Sequence, residues 1–579
     1  YMIPTAVVGL TALPLTPNGK LDTRALPAPD YQDTDHYRAP ATPTEDILTD
    51  IYAQVLGLHH VSVDDSFFDI GGNSLTAMRL IATVNARLDA HFSVRTLFDA
   101  PSVRSLSRHV GPHARMAEDQ ADDFEAGQKR HVHGPGFEFV HGRESTEVRA
   151  ADLTLDKFID AATITGAPGL PGPSGEIRTV LLTGATGFLG RYLALELLER
   201  MDLVDGTLIC LVRAESDEEA RLRLANAFDS GDPQLVRHFQ DLAADHLEVI
   251  AGDKGEANLS LDQQTWQRLA DTVDLIVDAA ALVNHVLPYS QLFRPNVVGT
   301  AELIRIALTT KIKPYAYVST GSVGDQIEPS AFTEDADIRV ISPTRTIDDG
   351  YGNSKWAGEV LLREANDLCA LPVTVFRCDM ILAGTTYAGQ LNVPDNFTRM
   401  MLSLMATGIA PGSFYQLDAD GNRQRAHFDG LPVEFVAEAI ATLGARVVDG
   451  FQTYHVMNPH DDGIGFDEFV DWLIQAGYPI ERIDDFGEWL QRFEVALSAL
   501  PDRQRRHSLL WKLPLPASNR LRNSNQFQPA KPIRGSAAPT DRFRAAVQEA
   551  KIGPDNDIPH VSSPIIVKYA SDLRLLGLL

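Results

Sequence analysis

Tyr351 and Lys355 are the residues whose types and spacing best suit chemistry at a carbonyl group. They lie four positions apart in YGNSKWAGE, so a helix places both side chains on one face. Adding a hydride to a carbonyl requires a proton donor at the oxygen and a positive field that lowers the donor's pKa from about 10. We expect Tyr351 to be the donor and Lys355 to supply the field. Taken alone, the pair also fits an amphipathic surface helix.

A hydroxyl group that holds the carbonyl oxygen is expected at the end of the preceding strand, in PYAYVSTGSVG. Thr320 is the candidate for this hydrogen bond. Ser319 and Ser322 could replace it, because a sequence fixes the end of a strand only within a few residues. Ser319 is in addition a predicted cofactor contact.

The glycines of TVLLTGATGFLGRYLALELLERM predict a dinucleotide-binding turn between a strand and a helix. Their spacing is G-x-x-G-x-x-G. The first glycine permits a tight turn, the second lets a pyrophosphate approach the backbone, and the third lets the helix pack on the strand. The predicted cofactor contacts in this turn are Thr183, Gly184, Thr186, Gly187, Phe188, Leu189 and Gly190.

An arginine at the end of the next strand, TLICLVR, indicates which cofactor is used. Enzymes that use NADH carry an acid here for the ribose hydroxyls, whereas Arg213 favours a 2′-phosphate, so NADPH is predicted. Arg223 on the following helix is the other half of this clamp, or an exposed arginine with no special role. Later strand ends add predicted contacts at Asp253, Lys254, Ala279, Ala280 and Ala281. Asp253 either faces the adenine or caps a loop.

Short β-rich segments alternate with helical ones from Thr179 onward, as in a parallel, doubly wound sheet. The predicted fold class is therefore α/β, and ligands of such sheets bind at the carboxyl ends of the strands. The chain has 579 residues, 44% hydrophobic and 22% charged, which is ordinary globular composition. Because single cores stop growing at about 250 to 300 residues, at least three units are expected.

Ser74 begins a helical pattern that follows two glycines in FFDIGGNSLTAMRL. An N-cap serine stabilises a helix by about 1 kcal/mol, which by itself would explain the residue. The stretch also resembles the attachment motif of acyl and peptidyl carrier proteins, in which the matching serine holds a 4′-phosphopantetheine arm. The resemblance implies a small four-helix carrier domain, modified on Ser74 by a phosphopantetheinyl transferase. A helix N-terminus suits the phosphodiester of the arm.

The residues from about 150 to 579 resemble the terminal thioester reductase domains of carboxylic acid reductases and of mycobacterial nonribosomal peptide synthetases. Thr320, Tyr351 and Lys355 match the triad of extended short-chain dehydrogenases. The resemblance implies a Rossmann fold with a mainly helical C-terminal subdomain. It also implies that an acyl or peptidyl thioester on the Ser74 arm accepts hydride from NADPH and leaves by reduction.

The product of that reduction is an aldehyde, or a primary alcohol if a second NADPH reacts. Asp379 lies in FRCDMIL, a stretch shared with carboxylic acid reductases, which normally stop at the aldehyde. It is a candidate gate against the second step, with a helix or loop cap as its alternative role. The aldehyde is the expected first product.

Two other functions fit parts of the sequence. The reductase fold could be a cofactor-binding scaffold without turnover beside a carrier that serves other modules. Alternatively, the glycine loop and the Tyr-x-x-x-Lys pair also occur in nucleotide-sugar epimerases and dehydratases, although these rarely follow a carrier module. The intact triad favours reduction over the scaffold.

The expected domains begin with the end of an adenylation domain, because LPLTPNGKLD resembles the closing motif of that domain in nonribosomal peptide synthetases. Lys20 matches its lysine, and we assign it no catalytic role in this chain. Upstream synthetase modules are the implied partners. The expected boundaries are an adenylation remnant at 1–30, a carrier at 42–110, a linker at 111–146, a Rossmann part at 147–371 and a substrate-binding part at 372–579.

Composition bears on whether the protein binds nucleic acid, a membrane or a metal, and on where it is located. The 51 basic and 78 acidic residues give a formal net charge of −27, which would repel a nucleic-acid backbone. No apolar run is long enough to span a bilayer, so the cytoplasm is the expected location. The three cysteines have neither disulfide nor metal-ligand spacing, and His131 with His133 lies in the polar linker, so no metal site is expected.

Overall fold

We describe the protein from a computed structural model. It describes residues 38–56, 61–67, 70, 74–88, 92, 96–97, 100–108, 135–143, 145–229, 231–284, 287–510 and 528–579. Lys20, the adenylation remnant at 1–30 and most of the expected linker at 111–146 lie outside these residues. The chain divides into two compact units, residues 1–129 and 130–579.

The first unit is helical where it is described. Its helices are α1 (Pro43–Leu56), α2 (Ser74–Leu88) and α3 (Val103–Ser107). Apolar side chains recur every three or four residues along α1, and they are buried with those of α2 because this spacing puts them on one face. Tyr52 packs edge-on against Phe67 with ring centroids 5.4 Å apart.

The strands of the second unit follow the alternation read from the sequence. They are β1 (Glu147–Arg149), β2 (Thr179–Thr183), β3 (Thr207–Val212), β4 (Leu247–Ala251), β5 (Leu275–Asp278), β6 (Tyr315–Thr320), β7 (Thr344–Thr346), β8 (Val373–Cys378), β9 (Met380–Leu382), β10 (Ile409–Pro411), β11 (Gly430–Pro432), β12 (Phe451–Val456) and β13 (Glu481–Ile483).

Seven of these strands form one parallel sheet in the order β12-β8-β6-β5-β2-β3-β4. Strands β2, β5 and β8 are almost wholly buried, as expected for a parallel sheet covered by helices on both faces. The chain leaves β2 in one direction and returns to β5 on its other side. A crevice opens at such a reversal of strand order, at the carboxyl ends of the strands.

Two strands of the sheet, β8 and β12, come from beyond residue 371, the expected end of the Rossmann part. The sheet therefore continues into the segment expected to bind the substrate. The rest of that segment builds its own core from helices and short strand pairs, in which β9 pairs with β11 and β10 with β13.

The helices of the second unit either cover the sheet or form the separate core of the C-terminal segment. They are α4 (Phe137–His141), α5 (Ala161–Gly166), α6 (Phe188–Val204), α7 (Asp217–Phe228), α8 (Pro233–His246), α9 (Gln263–Thr272), α10 (Tyr289–Leu292), α11 (Gly299–Ala307), α12 (Ile338–Ile341), α13 (Gly350–Cys369), α14 (Asn396–Thr407), α15 (Val433–Gly444), α16 (Phe466–Gln475), α17 (Phe486–Ser498), α18 (Asp502–His507), α19 (Asp541–Ala550) and α20 (Ser563–Leu575). None of the described helices is long and apolar enough to cross a membrane.

Candidate active site

The glycine turn joins β2 to α6 at the crevice. Gly184 has a φ of +81°, and a Cβ there would lie 2.8 Å from the backbone of both Ala279 and Ala280. A Cβ on Gly190 would lie 1.9 Å from the Gly184 oxygen. These two positions therefore require glycine, because the turn packs against the end of β5 and against its own helix.

The first turn of α6 fits the pyrophosphate of a dinucleotide. Gly187 is the cap residue of this helix and supplies no side-chain acceptor to the first amides. Those amides and the helix dipole favour an anion. The predicted contacts Thr186, Phe188 and Leu189 lie along the same turn and are partly exposed.

Arg213 and Arg223 lie together beyond the end of β3, and both are exposed. Arg223 Nη1 donates to the Arg213 carbonyl oxygen at 2.7 Å, which brings the guanidinium of α7 back to the strand end. This arrangement fits a clamp on a 2′-phosphate.

Asp253 and Lys254 follow β4 and differ in their surroundings. Asp253 Oδ1 accepts from the Gly255 amide at 2.9 Å, as in a loop cap. Lys254 is 8% exposed, and its Nζ donates to both carboxylate oxygens of Asp278 at 2.7 and 2.6 Å and to the Ala280 carbonyl at 3.1 Å. Lys254 thus lies beneath the segment from Ala279 to Ala281 that was predicted to line the cofactor site.

Asp278, the last residue of β5, was missed by the sequence reading. It is fully buried, and its carboxylate also accepts from Thr183 Oγ1 at 2.7 Å and from the Tyr315 hydroxyl at 2.8 Å. Burial by itself would raise its pKa, but the charges of Lys254 and Lys355 and these hydrogen bonds lower the pKa of Asp278 below its ordinary value. The signal in the sequence was an acid at the end of an otherwise apolar strand.

Lys355 and Tyr351 lie on α13, which is capped by Asp349 through the Gly352 amide at 2.9 Å. Lys355 is 1% exposed, and its Nζ lies 3.9 Å from the ring centroid of Tyr317 on β6. Burial, and then the charge of Lys254, lower the pKa of Lys355 to about 7. Burial raises the pKa of Tyr351 above its ordinary value.

Thr320 ends β6, next to Cys378 at the end of β8. Its Oγ1 accepts from the Ser322 amide at 3.3 Å, which leaves the hydroxyl proton to donate. Ser319 is buried and its Oγ donates to Glu359 Oε1 at 2.5 Å. Of the two hydroxyls, Thr320 is therefore better suited to hold a substrate oxygen, and Ser319 belongs to the protein interior.

Asp379 follows β8 and lies beside the turn after Thr320, since a Cβ on Gly321 would lie 3.7 Å from Asp379 Oδ1. Asp379 is exposed to solvent, yet the surrounding protein atoms still desolvate its carboxyl group. Desolvation, followed by the charges of Asp429 and Asp325, raises the pKa of Asp379 to about 7. Ser74, in the other unit, is the first residue of α2; its side chain lies outside the described atoms.

Comparison with known proteins agrees with this geometry. A family profile described as "Male sterility protein", of NAD-binding type, matches residues 182–440, and one described as "Phosphopantetheine attachment site" matches residues 46–110. The crystal structure of the reductase (R) domain of a nonribosomal peptide synthetase from Mycobacterium tuberculosis is 70% identical, covers 75% of this chain and all of that one, and has a TM-score of 0.70. The chain belongs to the family of nonribosomal peptide synthetase reductase domains.

Two longer proteins are also similar to this reductase family member. The isonitrile lipopeptide synthase of Mycobacterium tuberculosis is 67% identical over 590 residues, and the carboxylic acid reductase of Mycobacterium marinum is 68% identical over 526 residues. The alignments cover 100% and 90% of this chain, but the chain spans only 23% and 43% of those proteins. The resemblance and fold class read from the sequence are confirmed, and the chain is an NAD(P)H-dependent oxidoreductase of the short-chain dehydrogenase type.

Proposed function

We propose that this chain releases an acyl or peptidyl group from its phosphopantetheine thioester on Ser74 by NADPH-dependent reduction to an aldehyde. The observation that carries the proposal is that Thr320 pairs with Cys378 at the carboxyl edge of the sheet, and that Tyr351 and Lys355 both lie close enough to Cys378 to interact with it electrostatically. A glycine turn that fits a dinucleotide lies at the same edge. The similar carboxylic acid reductases and the matched attachment profile support the substrate class.

The chain's own residues supply the proton and the field. Thr320 holds the carbonyl oxygen, and Tyr351 donates its proton there as negative charge develops. Lys355, four residues further along the same helix, would supply positive charge beside Tyr351 and would bind the nicotinamide ribose. The hydride is the chemistry that NADPH supplies when bound. Once the thioester carbon has gained a hydride and its oxygen the Tyr351 proton, the group is a hemithioacetal. Its carbon–sulfur bond then breaks as the hydroxyl proton is lost and the leaving sulfur gains a proton, which gives the aldehyde and the free pantetheine thiol.

The cofactor is held by the glycine turn and by the clamp of Arg213 and Arg223. Thr183 and Lys254 support this site through Asp278, and the Ala279–Ala281 segment lines it. Residues 42–110 act as the carrier, 111–146 as its tether and 1–30 as the end of an upstream adenylation domain that loads it. A phosphopantetheinyl transferase installs the arm.

The test uses the whole chain. Incubation with coenzyme A and a phosphopantetheinyl transferase should add the mass of one arm to the wild-type chain and nothing to Ser74→Ala. The acyl-loaded chain should then oxidise NADPH and release an aldehyde. A loaded chain that leaves NADPH unchanged would support the scaffold reading, and turnover of a nucleotide sugar would support the epimerase reading.

A further inference from the structure

Asp278 is the centre of a buried polar cluster that joins three strands and the glycine turn. Its carboxylate accepts from Thr183 on β2, from Lys254 after β4 and from Tyr315 on β6. Thr183 Oγ1 in turn accepts from the Ala280 amide at 3.1 Å, so the same contacts fix the backbone against which Gly184 packs. Loss of this carboxylate would leave several buried donors without an acceptor.

When both of its lysines are protonated, the cluster contains more positive than negative charge. In strand register Asp278 pairs with Tyr317, whose ring lies 3.9 Å from Lys355 Nζ. Two buried lysines, Lys254 and Lys355, therefore face one carboxylate at the crevice. Among the described residues Lys355 Nζ has no hydrogen-bonded acid of its own.

Other groups around Lys355 balance this charge only in part, since Glu359 acts on Lys355 with the same sign as Asp278. Glu359, on the same helix, is committed to Arg377 with Nη2 and Oε2 2.7 Å apart. Tyr351 and Tyr317 are neutral because burial raises the pKa of each. Cys378 at the end of β8 is also neutral, since burial raises the pKa of its thiol to about 12. Asp278 is therefore the carboxylate that acts most strongly on Lys355, ahead of Glu359, and it also offsets Lys254.

We propose that Asp278 is a positioning residue of the reductase, which fixes the glycine turn on the end of β5 and keeps Lys355 charged for reduction by offsetting Lys254. The inference rests on the proposed function and deepens it. The claim that Asp278 keeps Lys355 charged makes a prediction that a purely structural role does not. The charge of Asp278 shifts the pKa of Lys355 in a definite direction.

The sign follows from the charges that face Lys355. Asp278→Asn removes a negative charge, so the pKa values of Lys355 and of Tyr351 both fall. Lys254→Met removes a positive charge, so both pKa values rise. The fall of kcat/KM at alkaline pH therefore moves to lower pH in Asp278→Asn and to higher pH in Lys254→Met. The direction is the same whether Lys355 or Tyr351 is the group that titrates.

The experiment compares the pH dependence of these two variants with two controls in the full chain. Asp278→Glu retains the charge. Asp274→Asn breaks a comparable lysine–aspartate ion pair at the other end of β5, away from Lys355. There Lys311 Nζ lies 2.6 Å from Asp274 Oδ1. NADPH-dependent reduction of a small acyl-pantetheine thioester gives kcat/KM, and nicotinamide fluorescence gives the NADPH dissociation constant at each pH.

We expect shifts of about one pH unit, opposite in sign, in Asp278→Asn and Lys254→Met, and no shift in either control. The NADPH binding curves should shift in the same directions. Shifts of the same sign, or none in an active protein, overturn the inference. If Asp278→Asn does not fold, Lys254→Met is sufficient as the test, because an alkaline limb of kcat/KM that stays at the wild-type pH contradicts the inference. Binding curves that shift while the wild-type chain reduces no thioester would instead reject the proposed function.

Discussion

Asp278, at the end of β5, and Asp379, directly after β8, are two carboxylates at the same edge of the sheet, and their environments shift their pKa values in opposite directions. Lysine charges lower the pKa of the fully buried Asp278, despite a burial effect that acts the other way. Desolvation and two neighbouring acids raise the pKa of Asp379 to about 7. Desolvation raises the pKa of both carboxyl groups, and the sign of the charges that face each one decides whether this effect is overcome or reinforced.

The comparison divides the crevice into two sides. On the proposed cofactor side Lys254 is paired with Asp278, and the hydrogen bonds of Asp278 hold the backbone. On the proposed substrate side the pKa of Asp379 is raised to about 7, beside the turn that follows Thr320. The following predictions test this division, from the largest expected effect to the smallest.

Tyr351→Phe should lower kcat by about 10²-fold or more and leave NADPH affinity nearly unchanged, because only proton donation is lost. Single-turnover reduction in the acyl-loaded chain measures this. Tyr289→Phe is the control, since that buried hydroxyl contacts His141 at 3.3 Å. Unchanged turnover in Tyr351→Phe would point to Asp379 as the proton donor and would contradict the division of the crevice into two sides.

Thr320→Ala should lower kcat by about 10²-fold, because the substrate oxygen loses its hydrogen bond. Ser319→Ala should instead lower the melting temperature and change kcat little, since it frees an acceptor on buried Glu359. Steady-state kinetics and thermal unfolding of both variants give the comparison. The reverse pattern would assign the catalytic hydroxyl to Ser319.

Arg213→Ala should raise KM for NADPH by about 10-fold or more, the equivalent of one charge-assisted hydrogen bond, and leave NADH kinetics unchanged. Arg221→Ala, an exposed arginine on the same helix as Arg223, is the control. Equal kcat/KM for NADPH and NADH in the wild-type chain would contradict the cofactor assignment.

Asp379→Asn should increase the share of alcohol in the product, because a neutral side chain resembles the protonated acid. In the wild-type chain that share should rise as the pH falls through about 7, where the Asp379 carboxyl group gains its proton. The ratio of NADPH consumed to product released measures it, with exposed Asp335→Asn as the control. An alcohol share independent of pH and of this substitution would leave Asp379 with a structural role.

The sequence predicted the parts of the site that depend on local spacing. The glycine turn and the Tyr351 and Lys355 pair each lie within one strand–helix unit, so their geometry follows from backbone periodicity. Asp278 was missed because its role depends on Lys254, which is distant along the chain and meets it through the sheet. Strand β12 was missed because FQTYHV lies among helices and is defined by its pairing with β8.

Transfer of deuterium from NADPH labelled at C4 to the released product tests the central claim most directly. The acyl-loaded chain, with one arm on Ser74, is mixed with the labelled cofactor and the product is analysed by mass spectrometry. The account predicts an aldehyde that carries one deuterium at its carbonyl carbon, formed only by the loaded chain. An unlabelled product, or release of the free acid without NADPH oxidation, would contradict it.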